Sequence, residues 1–144
     1  MRIFLDASVL LAAAGSSTGA SHGIFDYADA QGWRLVSSPW ALGEVQRNLP
    51  DLPSAAALMW PQLQSRVAVV EDVVVINRPV IFAASKDRPI LFSALASADV
   101  LLTLDRADFA GFLGGSFYGL RVRLPYDFLS EERASGRLPS PQKK

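Results

Sequence analysis

The chain has 144 residues, half of them apolar, the size of one domain with enough hydrophobic surface to bury a core without crosslinks. It contains no cysteine, which excludes disulfides, thiolate metal sites and a cysteine nucleophile, and leaves oxygen groups and His22 as the available metal ligands. Fourteen acids balance fourteen bases, so no basic footprint marks a dedicated nucleic-acid binder; with four acids gathered round a divalent ion, fourteen bases would stand against ten acids, a remainder of +4 that is compatible with a nuclease.

The first apolar run, Ile3-Phe4-Leu5, meets Asp6 far too soon for a signal peptide or a membrane span, and later apolar runs are similarly broken. A soluble cytoplasmic protein is the expectation. Residues 2–5 predict a short buried strand, and Ala7 to Ala14 a helix built from good helix formers. A flexible Gly15 to Gly19 loop follows, then a helix from Ser21 to about Ala30, ended by Gly32, and a second strand from Trp33 to Ser37.

Ser38 and Pro39 open a third helix that carries Glu44 and runs to about Leu49. Pro50 and Pro53 mark a turn before a fourth helix, Ser54 to Gln64, which Pro61 is expected to shorten. The β-branched run Val67 to Val75 predicts one strand, or two fragments around Glu71-Asp72, and Pro79 to Ala84 a helical turn. Asp87 stands at the start of an apolar helix with Pro89 in its first turn. Val100 to Leu104 predicts a buried strand ending at Asp105, followed by a helix near Arg106 to Leu113, a Gly114-Gly115 turn and a strand around Tyr118 to Val122. From Ser130 the chain turns polar and proline-rich, which predicts a domain over residues 1–129 and a frayed tail over 130–144. Strands alternating with helices define an α/β class: three α/β/α layers round a mainly parallel sheet of about five strands.

In open parallel sheets ligands bind beyond the carboxyl ends of the strands. Asp6 and Asp105 both follow strands there, and two carboxylates side by side raise each other's pKa unless a cation joins them. With Asp87 at a helix start and Glu44 one turn into another helix, the set makes a hard-oxygen site of the kind Mg²⁺ or Mn²⁺ occupies. Taken singly, each has an ordinary explanation: Asp6 or Asp87 as a helix cap, Glu44 as a solvated residue. The joint order, strand-Asp, helix-Glu, helix-start-Asp and Thr-x-Asp, is what points to a site.

These pieces, Phe4-Leu5-Asp6-Ala7-Ser8, Leu42-Gly43-Glu44-Val45, Lys86-Asp87-Arg88-Pro89-Ile90-Leu91 and Ala98-Asp99-Val100-Leu101-Leu102-Thr103-Leu104-Asp105, resemble the PIN-domain family, which includes the VapC-type toxins of bacterial toxin–antitoxin pairs and their solitary relatives. The resemblance spans residues 2 to about 124. It implies metal-dependent hydrolysis of RNA phosphodiester bonds, with Asp6, Glu44, Asp87 and Asp105 as the catalytic and Mg²⁺- or Mn²⁺-binding set and Ser8 and Thr103 as polar support. It also implies an RNA substrate, a cognate antitoxin if the chain is a toxin, and a homodimer. The apolar Leu104 between Thr103 and Asp105 departs from the small or polar residue common among relatives.

Lys86, Arg88 and Arg106 are candidate phosphate contacts, as are Arg121 and Arg123, although solvated arginines are the ordinary case. Asp99 is assigned to a turn or cap, because six extended residues at roughly 3.3 Å each put it about 20 Å from Asp105. His22 reads as a surface or capping residue, and Trp33, Trp40 and Trp60 as packing rather than base-stacking groups. Rival hydrolase and binding classes lack their marks: Ser8 occupies the position of a haloacid dehalogenase's second aspartate, no glycine-rich turn follows the first strand, and a receiver domain's acid pair is missing. The remaining alternative is a PIN-like fold without turnover, serving as an RNA-binding or protein-interaction module.

Overall fold

The computed structural model describes residues 1–73 and 88–139. In chain order they form β1 (Arg2–Leu5), α1 (Ala7–Gly15), α2 (Ala20–Gln31), β2 (Arg34–Ser37), α3 (Pro39–Asn48), a single 3₁₀ turn (Leu49–Asp51), α4 (Ser54–Gln64) and β3 (Ala68–Val69). After the undescribed stretch come α5 (Arg88–Ser97), β4 (Val100–Leu102), β5 (Ser116–Phe117), β6 (Leu120–Arg123) and α6 (Pro125–Ala134).

The six strands make one sheet in the order β3-β2-β1-β4-β6-β5, parallel throughout except for the β5–β6 pair. From β1 the chain moves outward to β2 and β3, then returns to place β4 on the other side of β1. The sheet therefore reverses direction between β1 and β4, and the crevice at such a point is where α/β sheets bind ligands.

Both faces of the sheet are covered, and the strands show why. Ile3 and Leu5 of β1, Leu35 of β2 and Val100 and Leu102 of β4 point into one apolar cluster with α1, α2, α4 and Phe128. Phe4, Val36 and Leu101, one residue out of phase, point into a second cluster with Ile90, Leu91, Phe109 and Phe117. Strand side chains alternate faces, so a run apolar at every position belongs in a central parallel strand buried on both sides.

Four expectations are corrected. Arg106 to Leu113 forms turns rather than a helix: Gly111, Gly114 and Gly115 weaken helical order, and Phe109 is pulled under the sheet as a fully buried ring. The strand expected over Tyr118 to Val122 is a hairpin, with Tyr118 and Gly119 both at positive φ in a two-residue turn that pairs Phe117 with Leu120; this supplies the sixth strand. Pro61 does not shorten α4, because Trp60 and Leu63 remain anchored in the core on either side of it. Residues 130–139 are not a frayed tail: α6 continues through Ala134, helped by Pro125 at its first turn, and Leu138 returns to the main core. The helical turn expected at Pro79 to Ala84 lies outside the described residues.

Candidate active site

Asp6 is placed by the sheet itself. Its backbone N–H donates to the Leu102 carbonyl at 3.0 Å, continuing the β1–β4 ladder by one residue, and its own carbonyl accepts from Val9 and Leu10 as α1 begins. It occupies the N-cap position of α1 without the side-chain bond that a capping aspartate makes. Its Oδ2 instead accepts two hydroxyls, from Ser8 at 2.8 Å and from Thr103 at 2.8 Å, in a site where Asp6 is only 5% exposed and Thr103 fully buried. The capping explanation of Asp6 thus gives way to a carboxylate held by two designated donors.

The same hydroxyls reach across to the second acid. Ser8 Oγ accepts from the Leu104 N–H at 3.0 Å, and Thr103 Oγ1 accepts from the Asp105 N–H at 3.1 Å, so each hydroxyl joins Asp6 to the backbone just past β4. Asp105 accepts the Asp108 N–H at 3.0 Å, which orders the turn that follows. Burial pushes the Asp6 carboxyl above the ordinary carboxylate range; hydrogen bonds from Ser8, Thr103 and the Ala7 backbone work against that, and the Asp105 charge adds to it. Neither acid is ion-paired to a lysine, arginine or histidine among the described residues. Two carboxylates in each other's field without a protein cation form a donor set that suits a hard divalent ion.

Glu44 lies on α3 with its Oε1 accepting the Trp40 indole N–H at 3.1 Å, and α3 starts beside β1 through Ser37, whose hydroxyl donates to the Leu5 carbonyl at 2.8 Å. Among the described residues no three acidic or histidine side chains meet as a metal-binding group. Asp87 and Lys86 lie outside the described residues, as does the side chain of Arg88. Arg106, next to Asp105, is exposed; its backbone N–H donates to the Leu104 carbonyl at 3.1 Å, and its guanidinium has no hydrogen-bond or ion-pair partner among the described residues. Arg121 and Arg123 are used elsewhere: Arg123 binds Glu131 at 2.8 Å, and Arg121 sits at the opposite end of the sheet near Met1.

Asp99 is at that opposite end too, in the bend between α5 and β4, accepting the Arg2 N–H at 2.8 Å. His22 bonds the Ala13 carbonyl at 2.9 Å through Nδ1, tying α2 to α1. Trp33 and Trp60 are core residues, whereas Trp40 is exposed beside Glu44, a position its sequence context did not reveal. Tyr126 borders a cavity that opens between Leu104, Arg106 and the first turns of α2 and α6.

Fold and site together define an α/β protein with two neighbouring carboxylates at the reversal point of a mainly parallel sheet. No protein-family model matches the chain, and no curated protein does. Among solved structures, the chain is similar to Mycobacterium tuberculosis VapC20, described as a Sarcin-Ricin loop cleaving toxin, at 18% identity over 76% of this chain and 94% of that one, with a TM-score of 0.45. No helix among the described residues is long and apolar enough to cross a membrane.

Proposed function

We propose that the chain is a metal-dependent endoribonuclease of the PIN type, acting as the toxin of a toxin–antitoxin pair or as a solitary nuclease. The observation that carries this reading is the buried Asp6 carboxylate at the reversal point, tied through Ser8 and Thr103 to the segment that presents Asp105. Asp6 and Asp105 would hold Mg²⁺ or Mn²⁺, joined by Glu44 and Asp87 on the strength of the family resemblance. When bound, such an ion lowers the pKa of a water nucleophile and stabilises charge on the leaving oxygen.

The chain's own groups set up that chemistry. The two hydroxyls fix the Asp6 carboxylate by both landing on Oδ2, so Oδ1 takes neither of them. Trp40 holds the Glu44 carboxylate in one orientation. Arg106 offers a guanidinium for a phosphate of the substrate. An RNA substrate, a cognate antitoxin, a homodimer and a cytoplasmic setting complete the proposal.

The test is cleavage of a labelled single-stranded RNA pool with Mg²⁺ or Mn²⁺. Cleavage that is abolished by EDTA and falls roughly 1000-fold in Asp6→Ala is the expected result, from the several kcal/mol a catalytic ion supplies. Intact RNA throughout, with no metal binding by calorimetry, would leave the alternative of an RNA-binding or protein-interaction module.

A further inference from the structure

We infer that the cavity beside the acidic pair is a nucleotide subsite in which a base of single-stranded RNA stacks on Tyr126; this rests on the ribonuclease reading above. The cavity holds about 250 Å³ and is walled by Leu104 and Arg106, the two neighbours of Asp105, and by Tyr126 and the first turn of α2. No carboxylate lines it, and its single charge is Arg106, so it is complementary to an anionic ligand.

Tyr126 is 67% exposed, and among the described residues neither its hydroxyl nor its ring has a partner. Trp40 is 41% exposed but committed, its indole N–H bound to Glu44 and its backbone N–H to Asp72. Tyr126 has no such task, and a large unengaged ring beside a reactive centre offers the flat surface on which any base stacks.

The groove then continues. A second cavity of about 610 Å³ shares Gly19, Ala20 and Tyr126 with the first and extends to Tyr27 and Arg133. Arg133 lies over the Tyr27 ring at 5.8 Å and has no carboxylate partner among the described residues, while Asp26 on the same wall faces His22 at 3.7 Å. Leading away from Asp105, the surface therefore presents Arg106, Tyr126 and Arg133: cation, ring, cation. That alternation matches phosphate, base, phosphate along a single strand, and duplex RNA, whose bases are already stacked, has no free face to offer the ring.

The experiment measures binding separately from cleavage, by fluorescence anisotropy of a labelled single-stranded RNA on an Asp6→Asn background. Tyr126→Ala should weaken Kd about tenfold, Tyr126→Phe should stay close to the parent, and Arg106→Ala should weaken binding with a shallower salt dependence. A duplex of the same sequence should be indifferent to Tyr126. On the active chain, Tyr126→Ala should raise KM while kcat changes little. RNA affinity unchanged in Tyr126→Ala overturns the subsite; if the intact chain still cleaves RNA, the nuclease reading survives alone. No RNA binding and no cleavage overturns both, and points to an acidic peptide as the occupant of the groove.

Discussion

At the start of β1 and β4, Asp99 accepts a backbone N–H from Arg2, and nearby the buried Glu132 takes two bonds from Arg137, at 2.6 and 3.2 Å. At the other end of the same strands, Asp6 has two neutral hydroxyls and a second carboxylate for company. The first end satisfies its acids with positive or strongly polar donors, which makes a clamp. The second end keeps an acid buried with donors too weak to offset its desolvation, and places another negative charge beside it. Desolvation of that kind weakens a fold rather than supporting it, so the contrast separates an end of the sheet that holds the molecule together from the end where the active site is proposed.

The largest effect should come from removing the two hydroxyls. Ser8→Ala combined with Thr103→Val should lower cleavage about 100-fold with the fold retained, the size of effect seen when groups that orient metal ligands are lost. RNA cleavage and circular dichroism on the same samples check it, and unchanged cleavage would mean the hydroxyls are structural only.

Next in size is a change at the clamp. Leu138 is 4% exposed and sits in the main core close to the Glu132–Arg137 pair. Leu138→Ala should cost about 2 kcal/mol and lower the melting temperature, while the cleavage rate at low temperature stays the same. Thermal unfolding and kinetics together test that separation.

The smallest effect runs the other way. Because the folded-state pKa of Asp6 is raised, the native protein holds its proton more tightly than the unfolded chain, and stability is lost as pH rises from the ordinary carboxylate range through the raised value. Asp6→Asn should therefore stabilise the metal-free protein at neutral pH, a gain that shrinks on acidification. Melting temperatures of the two chains in EDTA across that pH range decide it, and a destabilised Asp6→Asn would contradict the assignment of Asp6 as a strained acid.

Much of the carboxyl end of the sheet was legible in the sequence, because Ile3-Phe4-Leu5 and Val100-Leu101-Leu102 are unbroken apolar runs, with Asp6 next after the first and Asp105 three residues after the second. Ser8 and Thr103 were legible for the same reason, being two residues either side of those acids. What escaped depended on distant parts of the chain. α6 carries the polar run Ser130 to Arg133, which reads as a tail until Phe128, Leu129 and Glu132 are seen packed on the body of the protein. Its helical signals, Pro125 in the first turn and Asp127 and Arg133 at opposite ends, were present but outweighed by local polarity. The Arg106 to Leu113 segment failed in the opposite direction, since local propensity favoured a helix and the burial of Phe109 chose turns. Trp40 and Tyr126 gave no sign of their exposure, because whether an aromatic ring faces core or solvent is settled by partners far away in sequence.

The backbone bond from Asp6 to Leu102 ties this acid into the central ladder of the sheet. A reactive acid carried on a loop can be lost through a local opening while the rest of the protein stays intact, and can also be retuned by changing that loop. Asp6 has no such private route. Its position is part of the central ladder, in the two strands with the deepest burial, so displacing it means separating β1 from β4 and exposing both apolar clusters at once. The acid and the fold form one cooperative unit.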